Sequence, residues 1–353
     1  MRTRRDEFAF VSAGKSAPAR FVVGTGRCGS TLLSRMLSMN EQILNVFELF
    51  SGIDPFFRFE RRKVTGKELA DQLQLDHPML TMVMKRGGKV PEVVYPFDDP
   101  NSRHVLGDAV PWALAIAIPR ISDDPDALFD EMIERVEAAP TQILSTHYHA
   151  IFDWLTERTG KPAWIERSGG SIDFLPDLVE FFPDARFVHI HRDGHESALS
   201  MREYAPLRVA VAVMNGLAGE IEYSHEGLER LEREDGAAID RLLATESPIE
   251  LYGKYWSEQI MNGNRARQSL PADKFLDVRF EELVLEPREV LTRISDFLEL
   301  PSDDGTGQNA WIDRAAALSR GMPHLRAPEL PKEERDRLAQ ACADAMKILG
   351  RSE

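Results

Sequence analysis

Two cysteines in 353 residues, Cys28 and Cys342, are too few for a disulfide framework and suit a reducing compartment. Basic charge is also in short supply: 43 lysines and arginines stand against 58 aspartates and glutamates, a net charge of −15. That deficit argues against general binding to nucleic acid or to an acidic membrane surface. A polyanionic ligand has to be captured by a local positive pocket, because the global field repels it. Long apolar runs are missing as well; the longest, Ala109 to Ile118, is too short to span a bilayer. The start, Met1-Arg-Thr-Arg-Arg, is basic but no apolar core follows it, so no signal peptide is expected. The expectation is a soluble, cytoplasmic protein. An apolar fraction of 43% and a charged fraction of 29% are those of an ordinary globular chain. No repeat is visible, and the length suits one large domain.

The most informative stretch runs from Arg20 to Leu33. A short apolar run, Phe21-Val22-Val23, ends in a glycine-rich turn that opens directly into an amphipathic segment. Strand, glycine loop and helix start, in that order, form a phosphate cradle, because backbone N–H groups and the helix dipole converge on one point. Gly24 and Gly29 have the spacing of a nucleotide phosphate loop, followed by Ser30-Thr31. One residue is missing. The lysine that a triphosphate loop places before the threonine is Ser30, and a basic side chain, Arg27, has moved up into the loop. A nucleoside-triphosphate enzyme also needs a carboxylate at a strand end to hold Mg²⁺; Asp193, the acid nearest to that position, follows an arginine instead of closing an apolar run. A phosphate-loop kinase or nucleotidase is thus the second reading, and a non-catalytic nucleotide-binding scaffold the third.

The rest of the chain alternates strand and helix. Residues 20–23, 41–50, 161–167, 185–191 and 274–280 read as strands, the second ending near Glu48. Residues 30–39, 66–75, 141–158, 173–182, 249–269, 287–298 and 332–349 read as helices, as does the segment from Asp193 onward. Such β-α-β-α order predicts an α/β fold, a mostly parallel sheet with helices on both faces. Residues 1–18 read as an irregular arm and 302–308 as a loop. The acidic and basic run of residues 222–247 reads as a solvated helix or mobile cover rather than a binding patch. Residues 51–140 look like a long insertion able to shape a substrate pocket, not an independent domain.

A second phosphate-grade signal lies at Arg192, ending a strand, and Ser200, eight residues and about two helical turns later. Together the two stretches resemble the sulfotransferases that use 3′-phosphoadenosine 5′-phosphosulfate (PAPS). In that family a G-x-x-[KR]-x-G-[ST]-T loop, here Gly24 to Thr31, holds the phosphosulfate, and an R-x₇-S motif, here Arg192 and Ser200, holds the 3′-phosphate. Val278-Arg279-Phe280-Glu281 is similar to the family's V-x-Y-E segment near the adenine, with Phe280 for tyrosine. Glu166-Arg167-Ser168 resembles the E-K-[ST]-P segment of the bacterial and tyrosyl-protein branches, with Arg167 for lysine. The resemblance spans residues 19–50 and 161–300 and implies a three-layer α/β/α phosphate-loop fold with a largely helical substrate-side insertion.

It also implies site residues. Gly26, Arg27, Cys28, Gly29, Ser30 and Thr31 form the cradle, with Cys28 a small filler contributing its N–H. Arg192, Ser200 and Phe280 complete the nucleotide site. Arg27 stabilises the bridging oxygen of the breaking bond, Arg167 approaches the sulfonate, and Glu48 is the base for the acceptor hydroxyl. His147 and His149 are rival bases; they sit two apart on one helix, so both cannot face one pocket. His189 and His191 read as sheet packing. No metal is required. The acceptor is a small molecule bearing a hydroxyl. If apolar insertion residues such as Phe50, Ile53, Phe56, Phe59, Met79, Leu80 and Trp112 line its pocket, the acceptor is hydrophobic or lipid-like. Oligomeric state is not legible.

Overall fold

Five short strands, four of them buried along almost their whole length and the edge strand half-buried, organise the computed structural model, which describes residues 18–302 and 310–351. The expected N-terminal arm, except Pro18, and most of the expected loop at 302–308 lie outside the described residues. In chain order the strands are β1 (Arg20–Val23), β2 (Ile43–Phe47), β3 (Lys63–Val64), β4 (Gln142–Ile143), β5 (Ala163–Arg167), β6 (Arg186–His191) and β7 (Phe275–Arg279). The main sheet has the order β2-β5-β1-β6-β7, and every pairing in it is parallel. β3 and β4 form a separate antiparallel pair in the insertion.

The helices are α1 (Ser30–Leu37), α2 (Gly66–Leu73), α3 (Pro78–Lys85), α4 (Trp112–Ile116), α5 (Pro125–Glu137), α6 (Leu144–Thr159), α7 (Leu175–Phe181), α8 (Gly194–Glu203), α9 (Ala205–Met214), α10 (His225–Ala244), α11 (Ile249–Arg267), α12 (Phe280–Leu285), α13 (Pro287–Leu298), α14 (Ala310–Ala316) and α15 (Lys332–Ile348). Strand alternation sends neighbouring residues to opposite cores. Phe21, Trp164 and Phe187 face one side, where α6, α7, α8, α11 and α15 pack. Val22, Ile165 and Val188 face the other, covered by α1, α12, α13 and α14. Both faces of a parallel sheet are therefore dry, as its strands' continuous apolar character requires. None of the described helices is long and apolar enough to cross a membrane.

The insertion is largely helical, as the resemblance implies: beside α2 it carries α3, α4 and α5. Pro78 and Pro125 sit in the first turns of α3 and α5, where the missing N–H costs nothing. Residues 222–247 depart from their reading. α10 buries Leu228, Leu231, Ala238 and Ile239 against α3 and α9, forming a third, smaller core. Its charges are solvated, but its N-terminal end, with Tyr223 and Ser224 before it, belongs to a cavity wall.

Phe21 is the hub of the first core. Its ring lies 5.0 Å from Phe182, 5.5 Å from Phe187, 5.7 Å from Trp164 and 6.3 Å from Phe50. Truncating such a residue leaves a cavity that stiff neighbours cannot fill. Phe21→Ala is predicted to cost about 3–5 kcal/mol in urea unfolding; a loss below about 1 kcal/mol would contradict its place at the hub.

Candidate active site

Four of the five parallel strands end at one place. The residues after β1, β2, β5 and β6 converge on a cavity of about 620 Å³ at the carboxyl edge of the sheet, where α/β folds bind ligands. Gly26, Arg27, Gly29, Ser30 and Thr31 line it from the loop, Glu48 from the end of β2, Arg167 from β5, and Arg192 and Ser200 from β6 and α8. Segments far apart in the chain are thus brought to one wall.

The loop is built as a cradle. Gly29 caps α1 in the left-handed region (φ 94°), and no side chain caps the helix, so its first N–H groups remain turned toward the cavity. A side chain at Gly29 would run into the Phe280 ring, 2.2 Å away; one at Gly24 would meet the Ile190 carbonyl at 2.6 Å. Both glycines are required by close approach. Cys28 and Phe280, expected at the cofactor, do not line the cavity. The Cys28 thiol is fully buried and pushed up from its ordinary pKa by that burial, which makes it a filler. Phe280 backs the loop and carries the Arg192 guanidinium over its ring at 5.2 Å.

Arg27 and Glu48 are two of only three non-glycine residues with positive φ among those described, at 62° and 56°. That backbone costs roughly 1–3 kcal/mol and persists only when surroundings enforce it. For Glu48 the enforcement is visible. Its N–H donates to the Arg167 carbonyl (2.7 Å), and its own carbonyl accepts the Trp112 indole. Its carboxylate takes the Gly169 N–H (2.6 Å), the Ser51 hydroxyl (2.8 Å) and an ion pair with Arg167. Arg167, 2% exposed, also donates to Thr31 Oγ1 (2.9 Å) and Ser34 Oγ (3.3 Å). All three guanidinium nitrogens are engaged, so its geometry suits orienting Glu48 and Thr31 better than the expected reach toward a sulfonate.

Arg27 donates from Nε to Ser200 Oγ (3.1 Å), which joins the two motifs directly. Arg192 has a carboxylate neighbour, Glu196, only at 3.5 Å, and Glu196 is shared with Arg326 at the same distance. Burial pulls the Arg192 pKa down, partly offset by Glu196. A half-compensated buried cation gains from an incoming phosphate. Asp193 accepts the N–H groups of His195 and Glu196 (2.9 and 3.1 Å) and so caps α8. That role removes it from the metal-binding part a kinase would need.

The rival histidines lie elsewhere. His147 is buried between the Val64 carbonyl (3.1 Å) and Gln142 (3.2 Å), and His149 packs on Phe182; neither lines the cavity. His189 bonds Asp277 (2.9 Å) and His191 accepts from Arg351 (3.1 Å), and both are buried on β6 within the sheet. Sequence reasoning passed over the histidines that do line the cavity, His77 and His225. The His77 ring lies tilted against Trp112 at 4.6 Å, and burial lowers its pKa to about 4, leaving a neutral imidazole. The hydrogen bond to Asp76 raises that of His225. Asp76, His225 and Glu229 place ligand atoms within 4.8 Å of one another, the one such group among the described residues. Asp76 is already engaged by His225 and Thr81, which accounts for the grouping without an ion. Nothing local in the sequence marks these residues; they come from the insertion and from the start of α10.

The model of the sulfotransferase family matches residues 18–304. The chain belongs to that family. Among solved structures, this sulfotransferase is similar to a sulfotransferase domain from the curacin biosynthetic pathway, with 13% identity and a TM-score of 0.51 over 96% of this chain and 99% of that one. It also matches sulfotransferase STF9 from Mycobacterium avium, with 16% identity and a TM-score of 0.45 over 96% and 78%. No curated protein matches the sequence. The parallel sheet and phosphate loop expected from the sequence are thus those of the fold.

Beneath the site, Glu166 is 1% exposed and accepts the Ser168 hydroxyl at 2.5 Å. Burial raises its pKa to about 8. A carboxyl raised in this way favours folding below its unfolded value, near 4.3, and that contribution is lost as pH climbs toward 8. Wild-type melting temperature is predicted to fall across this window relative to Glu166→Gln; parallel profiles for the two proteins would refute the buried-proton assignment. In calorimetric titration with adenosine 3′,5′-bisphosphate, Arg192→Ala is expected to weaken binding tenfold to a hundredfold, for about 1.5–3 kcal/mol of charge-assisted contact, and Ser200→Ala distinctly less.

Proposed function

We propose that this sulfotransferase moves the sulfonate of PAPS to a hydroxyl of a small, largely apolar acceptor. The observation that carries the reading is the meeting, on one wall, of an uncapped helix start with Arg27, Arg192 and Ser200. In this reading the helix start with Arg27 receives one phosphate of a nucleotide, and Arg192 with the adjoining Ser200 receives the other. The residues fit the group: Gly26, Gly29, Ser30 and Thr31 offer N–H groups and hydroxyls to the 5′ end, and Arg192 and Ser200 take the 3′-phosphate. When bound, PAPS supplies a sulfonate already activated on a phosphate leaving group.

The chain's own residues do the rest. Sulfuryl transfer, like phosphoryl transfer, places charge on the leaving oxygen, so fixed cations and N–H groups aimed there lower the barrier. Arg27 and the α1 N-terminus fill that role. Glu48 holds the acceptor hydroxyl and takes its proton, with Arg167, Ser51 and Gly169 fixing its direction. No metal has a part in this scheme. Ile53, Met79, Leu80, Phe174, Leu207 and Leu228 supply apolar wall for the acceptor. The insertion contributes less than its composition promised: Phe50 and Phe59 are core and Phe56 is exposed.

A mass-spectrometric screen for sulfated products, with PAPS and a panel of phenols, sterols, long-chain alcohols and sugars, tests the function. Products confined to sugars would remove the apolar acceptor. Glu48→Gln is expected to keep bisphosphate affinity within about threefold and to lower turnover at least about a hundredfold, the lower end of the range for a lost general base. Retained turnover in Glu48→Gln, with loss in His77→Ala, would transfer the role to His77.

A further inference from the structure

Among the described residues, the side chain of Glu92 links the insertion to the phosphate loop. Glu92, far from either nucleotide motif in sequence, places Oε1 3.5 Å from Arg27 NH1 and accepts the Tyr204 hydroxyl on Oε2 at 2.7 Å. Its backbone carbonyl accepts Arg120 at 2.9 Å, which pins the segment on which it rides. Arg27 is thereby held on three sides: Glu92 at NH1, Ser200 at Nε, and the Tyr204 ring 4.8 Å from the guanidinium carbon. The Glu92 side chain is 17% exposed and borders the same cavity as the cradle. Arg27, at 34%, is exposed enough to swing if nothing directs it.

We propose that Glu92, anchored by Tyr204, is the positioning residue for Arg27, fixing the guanidinium toward the oxygen on which charge develops during sulfuryl transfer. The inference rests on the reading that Arg27 addresses the phosphosulfate. Its physical content is a division of labour. A carboxylate close to a guanidinium contributes nothing to ground-state capture of an anion, since it competes for the same cation and repels the ligand. What it supplies is direction, and direction counts when charge is concentrated on one atom. Glu92 thus gives up ground-state affinity and gains transition-state alignment.

Glu92→Gln keeps size and the hydrogen bond to Tyr204 while removing the charge. The expected result is bisphosphate affinity unchanged or up to about tenfold tighter in calorimetric titration, with single-turnover transfer from PAPS to a small phenol slowed at least tenfold. Tyr204→Phe, which frees Glu92, is expected to slow transfer by a smaller factor in the same direction. In an Arg27→Ala background Glu92→Gln is expected to have no further effect on the transfer rate. A merely structural residue lowers melting temperature, affinity and rate together, and does so whether or not Arg27 is present; that pattern, or an unchanged rate, overturns the proposal. Failure of the functional reading looks different, because wild type itself would then bind no adenosine 3′,5′-bisphosphate.

Discussion

The buried ion pair of Glu48 and Arg167 is the constraint on which the site depends. It closes the ends of β2 and β5 over the phosphate loop, since Arg167 also holds Thr31 and Ser34. Two charges this deep are tolerated because each is almost fully hydrogen-bonded; removing either leaves the other uncompensated, at a cost of about 3–5 kcal/mol. The left-handed backbone at Glu48 belongs to the same construction, as the turn that brings its carboxylate back toward the β5 end. The base role proposed for Glu48 and its structural role would share one side chain, whose rigidity would then be part of its directionality.

Around that pair the fold separates tasks by element. The sheet supplies strand ends at a common edge, α1 supplies the helix start, and β6 with α8 bring Arg192 and Ser200 to the same wall. The insertion lines part of the cavity and, through Glu92 and Arg120, links back to the loop. α10 closes the cavity from the far side through a small core of its own with α3 and α9. In the proposed function the strongly acidic chain would meet a polyanionic ligand locally, with Arg192 buried beside a half-compensating Glu196 and Arg27 in the mouth of the cradle.

Where local chemistry dictates local shape, the sequence was legible. Gly24, Gly29 and the apolar run before them specify a strand, a tight turn and a helix start whatever the rest of the chain does. The pairing of Arg192 and Ser200 was readable for the same reason, since a strand end and the helix that directly follows it set their separation. Less legible was anything that depends on which surfaces meet. The cavity-lining role of His225 and the core position of Phe50 follow from packing between segments distant in sequence. Phe280 shows the limit within a motif: it sits in a recognisable pattern yet backs the loop instead of lining the cavity, whereas Cys28 fills space as expected.

By itself, then, the amino-acid sequence determined the parallel α/β frame and the strand–loop–helix start at its carboxyl edge, because period and glycine spacing act over a few residues. Tertiary structure alone decided that Arg167 turns to Glu48, that Arg27 touches Ser200 and Glu92, and that His147 and His149 stay out of the cavity. Those outcomes depend on the directions in which side chains leave distant strand ends, and on burial that makes an unpaired charge or unmatched hydrogen bond costly. No run of neighbouring residues carries that information.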